Sequence, residues 1–182
     1  MKKFLLLVFV INLVMLSSCK KDSPSKRSDE IPSNSPRTNV PADIQGMWMY
    51  GNFSTTEYWS QNPSEYIGNG LTMAMAFKFA SGGTYEQYFT SSSVVGGVVT
   101  YQQAVTKGTV EINEDNQTIT SHPSHTHYKR TTNGQTVEER DLRPDEMHSV
   151  KYFFEAGSEP NGTNALYLAL SENDNPLTFL KK

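Results

Sequence analysis

Leu71-Thr72-Met73-Ala74-Met75-Ala76-Phe77-Lys78-Phe79-Ala80 decides the fold class. The large apolar residues Leu71, Met73, Met75, Phe77 and Phe79 hold every second position, and Thr72, Ala74, Ala76, Lys78 and Ala80 hold the others. Side chains alternate between faces along a strand. The stretch therefore predicts a strand with one large-apolar face over a core and one lean face. Ser81-Gly82-Gly83 then turns the chain into a second strand over Thr84 to Thr90, carrying Tyr85, Tyr88 and Phe89. Glycine supplies the positive φ that tight hairpins need.

The same grammar extends in both directions. Upstream, Gly46 to Phe53 reads as a strand with Trp48 and Tyr50 on one face. A polar stretch follows, Ser54 to Gly70, holding Tyr58, Trp59 and Tyr66. It is expected to form a short helix near Thr56 to Gln61, stopped by Pro63. A loop of that length in a compact domain is often a lid or a binding loop. Downstream, Val94-Val95-Gly96-Gly97-Val98-Val99 reads equally well as a hairpin tip or a mobile loop. Thr100 to Ile112 is a long strand with Gly108 as a bulge position. Strands are expected over Gln117 to Ser121, His125 to Thr132 and Gln135 to Arg140, the last two joined by Asn133-Gly134, a strong hairpin signal. His148 to Ala156, Ala165 to Leu170 and Leu177 to Leu180 complete about nine or ten strands in meander order, with no long helical period.

The beginning of the chain obeys other rules. Lys2-Lys3 precedes an apolar run from Phe4 to Leu16 broken only by Asn12. That is the length of an export signal and too short for a comfortable membrane span. The run ends in Leu16-Ser17-Ser18-Cys19, and Cys19 is the only cysteine, so it has no internal disulfide partner. This segment resembles the lipobox of bacterial lipoproteins. The resemblance implies a signal peptide over residues 1–18 and a Cys19 that carries diacylglycerol and an amide-linked acyl chain such as palmitate. Several acyl chains, at roughly 0.8 kcal/mol per buried CH₂, anchor a protein stably where one would not. Lys20 stands where an Asp would favour inner-membrane retention, so the expected location is the bacterial outer membrane, on its periplasmic side or at the cell surface.

Residues 19–42 then form a tether. Pro24, Pro32, Pro36 and Pro41 are spaced along it with serines and charges and no aromatic residue. Such a composition buries too little apolar surface to offset the entropy of ordering, so the tether is expected to be disordered. Its reach lies between roughly 25 Å as a coil and roughly 65 Å as polyproline II. The remaining residues, 43–182, are the size of one domain with a real core. Without Lys2 and Lys3 the chain keeps 14 basic residues against 19 acidic ones, a mild acidity with no basic block. Nucleic acid is accordingly not expected as a partner.

A meander of this kind removes its edges by closing on itself. Gly46-Met47-Trp48 at the first strand, Phe79-Ala80-Ser81-Gly82-Gly83-Thr84-Tyr85 and Gly108-Thr109-Val110-Glu111-Ile112 resemble the lipocalin-like (calycin-type) barrels of bacterial lipoproteins. The later Thr-Asp-Tyr-type motif and the C-terminal helix of classical lipocalins have no counterpart, so the resemblance is to a looser barrel. It implies an all-β, antiparallel, up-and-down β-barrel of about 8–10 strands. It also implies a small apolar or amphipathic ligand held by Trp48, Tyr50, Trp59, Tyr66, Met73, Met75, Phe77 and Phe79. The alternative is a filled barrel that meets another envelope protein or a glycan through its surface.

Chemistry has little footing in the sequence. Neither a Gly-x-Ser-x-Gly elbow nor a phosphate-cradling loop occurs, and no catalysis and no cofactor is expected. Asp141, Arg143, Asp145 and Glu146 read as a solvated turn around Pro144. His122, His125 and His127 fall close together. His125 and His127 share a strand face and are the weak candidates for a metal, with His148 or Glu146 as the third ligand. Pro123 is expected to break the strand and leave His122 outside it.

Overall fold

The computed structural model describes Ile31, residues 33–60 and residues 72–182. The lipobox with Cys19, most of the tether, Tyr66 and Leu71 lie outside the described residues. Nine strands follow in order: β1 (Gly46–Tyr50), β2 (Thr72–Phe79), β3 (Thr84–Val95), β4 (Val98–Asn113), β5 (Thr118–Thr132), β6 (Gln135–Asp141), β7 (Val150–Ser158), β8 (Asn164–Ala169) and β9 (Leu177–Lys181). Every described pairing is antiparallel. The described residues thus form an all-β antiparallel sheet. Of the helix expected at Thr56 to Gln61, the described residues show a 3₁₀ turn, Tyr58–Ser60, and Gln61 lies outside them.

The pairings form a cycle. β1 pairs with β2, then β3, β4 and β5 follow, and β5 pairs with β7, which leads through β8 and β9 back to β1. The strand β6 stands outside this cycle, paired with β5. β5 serves both neighbours by dividing its length. Thr118 to Ser121 lies on β7, and His127 to Thr132 lies on β6.

Alternation sorts the sheet into two faces. Trp48, Phe77, Gln87, Thr106 and Thr126 form one cross-strand row. Phe77, Phe79, Trp48, Tyr85, Val110, Ile112, Ile119, Leu166, Leu168 and Phe179 are buried together on this core face. Contacts cross from strand to strand without following the pairings. The rings of Phe77 on β2 and Tyr152 on β7 lie 5.6 Å apart, although these strands are not paired. The Tyr85 phenol faces Ser121, and the Tyr152 phenol faces Gln87.

The chain before β1 closes one end of this core. Thr38 N donates to Val110 O at 3.0 Å, Val40 N donates to Ser81 O at 3.0 Å, and Ile112 N donates to the Thr38 hydroxyl at 2.7 Å. Val40 and Ile44 are buried in the core, and Trp48 Nε1 donates to Ile44 O at 2.6 Å. Thr38 and Val40 are therefore fastened to the packed unit, because their backbone groups find partners there. Gly83 makes room for this segment. It sits at φ +79°, and a Cβ on it would stand 2.3 Å from Thr38 O.

Pro123 does not break β5. The strand runs through it, and the register with β4 slips at Lys107/Gly108, where Ser124 is the extra residue. Proline has no N–H to give to a ladder and is tolerated at a bulge. Gly108 faces Pro123 here, and a Cβ on it would meet His122 O at 2.1 Å and Tyr85 Cε1 at 2.8 Å. Tyr85 thus packs over a bare backbone. The slip also changes faces: His122 joins His125 and His127 on the outer face, where strict alternation would oppose it.

Candidate functional site

Trp48, Phe77 and Phe79 are fully buried in the core, and Tyr50 and Met75 pack against it. Met73 shares their face and is half-buried. The interior faces of β1 and β2 therefore meet other side chains. Phe77 lies 5.5 Å from Phe79 and 5.6 Å from Phe179, centroid to centroid.

Trp59 is elsewhere. The described part of the segment after β1, up to Ser60, lies on the outer face, where Phe53 and Tyr58 cover Met49, Ala74 and Ala76. Tyr58 is held by the backbone. Its hydroxyl donates to Phe89 O and accepts from Ala104 N at 3.0 Å, and Gln103 Nε2 donates to Tyr58 O. Burial raises the Tyr58 phenol well above its ordinary pKa. Trp59 stacks edge-on against Tyr58 and His127, each at 4.9 Å. These aromatics clamp the outside of the sheet, so Trp59 and Trp48 do not share a site.

The histidines meet carboxylates. Met49, Ala76, Tyr88, Val105, His127 and Asp141 make one outer row. His127 Nδ1 lies 2.7 Å from Asp141 Oδ1 and its Nε2 lies 3.5 Å from Glu139. His125 Nε2 lies 3.3 Å from Asp141 Oδ2. His122 bridges Ser149 at 2.9 Å and Glu111 at 2.7 Å. His148 and Glu146 do not come to His125 and His127 as third ligands, because both ride on the segment between β6 and β7. Among the described residues no group of three or more His, Cys, Asp or Glu is arranged to hold a metal ion.

That segment, Leu142 to Ser149, is a strap across the core-face side of β5. Leu142 N donates to Thr126 O at 2.9 Å, and a 3₁₀ turn follows at Pro144–Glu146. Glu146 receives both Arg140 Nη1 and Nη2 at 2.8 Å and the Arg143 N–H at 2.8 Å. The expected solvated turn is thus fastened at both ends, at Asp141 by His125 and His127 and at Ser149 by His122. Beneath it lies a cavity of about 220 Å³ that opens to solvent. Its lining includes Gln87, Phe89, Thr106, Thr126, Met147 and His148. The sequence offered no signal for this cavity, since β5 had to leave β7 before a gap could exist.

The Arg140 fork and the Arg143 amide hold Glu146 below its ordinary pKa of 4.5, at about 2. A lowered folded value means that the clasp is fully present above the ordinary value and fades as pH falls through about 2. Carbon-detected titration of Glu146 should give a midpoint near 2. Arg140→Gln should raise it toward the ordinary carboxylate range, the Arg143 amide still holding it somewhat below, and an unchanged midpoint would deny the clasp.

Comparison with protein-family models, curated proteins and solved structures finds no match. No helix among the described residues is long and apolar enough to cross a membrane, which leaves open a crossing by strands.

Proposed function

We propose that this chain is a lipid-anchored lipoprotein of the bacterial outer membrane, a non-catalytic interaction module built on a filled, lipocalin-like barrel. The cycle of pairings supports the barrel. The observation that carries the filled reading is the contact between Phe77 and Tyr152. A ring from β2 touching a ring from β7 leaves no continuous space along Trp48, Met75, Phe77 and Phe79 for an apolar guest. Typical ligand pockets measure roughly 300–1,000 Å³, and the side chains that would line one are packed on each other instead. The interior packing thus favours surface recognition over a ligand held by the β1 and β2 faces.

In this reading Cys19 and the tether lead to the end of the domain closed by Thr38 and Val40. The opposite end of β3 carries the β3–β4 turn, flanked by Val95 and Val98, which are 74% and 43% exposed. The β5–β6 turn lies beside it, with Asn133 N donating to Val99 O at 2.8 Å and Val137 exposed nearby. Apolar residues at the end away from the anchor suit a protein partner in the envelope. A photo-crosslinking residue at position 98 in intact cells should give one discrete protein adduct. The same residue at position 114, in the turn at the tether end, should not. Val95→Glu with Val98→Glu should remove the adduct. A position-98 probe that crosslinks only to lipid, or no better than the position-114 probe, would contradict the proposal.

A further inference from the structure

Beyond the packed core, the cavity under the strap has its own chemistry, and we infer that it is a site for a small, uncharged, single-ring guest with one hydroxyl, a phenol in the chemical sense. The inference does not depend on surface recognition elsewhere.

Size comes first. A dry cavity of roughly 150 Å³ takes benzene, and drug-sized ligands need roughly 300 Å³ or more. A cavity of about 220 Å³ falls between, room for one ring and a small substituent. Charge comes next. The lining holds neither lysine nor arginine, and its one imidazole, His148, is solvent-exposed, so an anion inside would meet no buried counter-charge. The one carboxylate there, Glu146, is already engaged by Arg140 and the Arg143 amide, so it does not call for a cation. Burial keeps the Tyr85 phenol neutral by raising its pKa. A charged guest would give up part of its hydration and meet no buried charge to replace it.

The wall chemistry then selects within neutral rings. Phe89, Pro123, Leu142, Met147 and Val150 give apolar surface, and Met147 brings a polarizable sulfur that favours an aromatic ring. The polar edge is a pair of hydroxyls, Thr106 Oγ1 and Thr126 Oγ1, 2.9 Å apart. One hydroxyl hydrogen is used between them. The other hydrogen and the remaining lone pairs can serve one hydroxyl of a guest. Gln87 and Ser121 also line the cavity, but Gln87 Nε2 already donates to Met75 Sδ and the Ser121 hydroxyl to Val150 O, so a sugar ring would leave most of its hydroxyls unpaired.

The test uses the full chain in lipid nanodiscs, with empty nanodiscs subtracted. Fluorine NMR follows 4-fluorophenol and, as a control without a hydroxyl, 4-fluorotoluene. Saturable broadening of 4-fluorophenol that unlabelled phenol reverses is expected. Replacing both threonines, Thr106→Val with Thr126→Val, removes the hydroxyl pair while conserving shape. It should weaken 4-fluorophenol about five- to tenfold and leave 4-fluorotoluene unchanged. Ala104→Trp should fill the cavity and abolish both. If that variant fails to fold, the valine pair still decides. Absence of saturable binding, equal loss of both probes in the valine pair, or displacement by glucose as effective as by phenol would overturn the inference.

Discussion

Phe77→Ala is expected to cost the domain about 3–5 kcal/mol. Phe77 is 1% exposed, and its ring meets Phe79, Tyr85, Tyr152 and Phe179. These partners come from β2, β3, β7 and β9, each fixed in a ladder. They cannot all move inward, so most of the volume removed remains as a void. Whole domains are stable by only about 5–15 kcal/mol, and the loss is a large part of that. A denaturation series should show a lower midpoint with the slope unchanged. Met75→Leu, which nearly conserves volume at a half-buried position, should cost less than about 1.5 kcal/mol. A loss below about 1 kcal/mol in Phe77→Ala would mean that the interior is hollow or easily rearranged.

Cys19→Ala should abolish the anchor altogether. Only a thiol can form the thioether that the lipobox resemblance implies, and the chain has no other cysteine. Labelled palmitate should not enter the variant. The unprocessed precursor should accumulate, because in that family cleavage follows lipid attachment. Unchanged labelling would end the lipoprotein proposal and leave the packing argument untouched.

How much of this is legible in the sequence depends on how far apart the partners lie. Leu71 to Ala80 is readable because one face is buried, and burial prints a period of two on the chain. Asn133-Gly134 is readable because its turn chemistry is local; both residues adopt positive φ, 50° and 79°. Tyr58 and Trp59 are not readable in this way. Their position on the outer face is set by the Tyr58 hydroxyl meeting Phe89 and Ala104. Nothing near Tyr58 in the sequence announces those backbone groups.

The histidine cluster shows the same limit more finely. A strict two-residue hairpin at Asn133-Gly134 would place Arg140 opposite His127. A register slip at Arg130/Thr131 makes Val137 the extra residue and brings Asp141 there instead. A second slip, at Lys107/Gly108, turns His122 to the same face. Each bulge is a property of two strands, so a single strand's pattern cannot reveal it. The strap and its cavity inherit that opacity, because both exist only where β5 exchanges β7 for β6.

The packed interior is tested most directly by nuclear Overhauser contacts in the full chain, with phenylalanine and tyrosine rings selectively labelled and Phe77 assigned by substitution. The rings of Phe77 and Tyr152 are 5.6 Å apart between centroids on strands that do not pair. A filled interior gives cross-peaks between them, unchanged when an apolar dye is added. If those cross-peaks are missing and Phe77 instead shows contacts to the dye, the interior is a ligand cavity and the account fails.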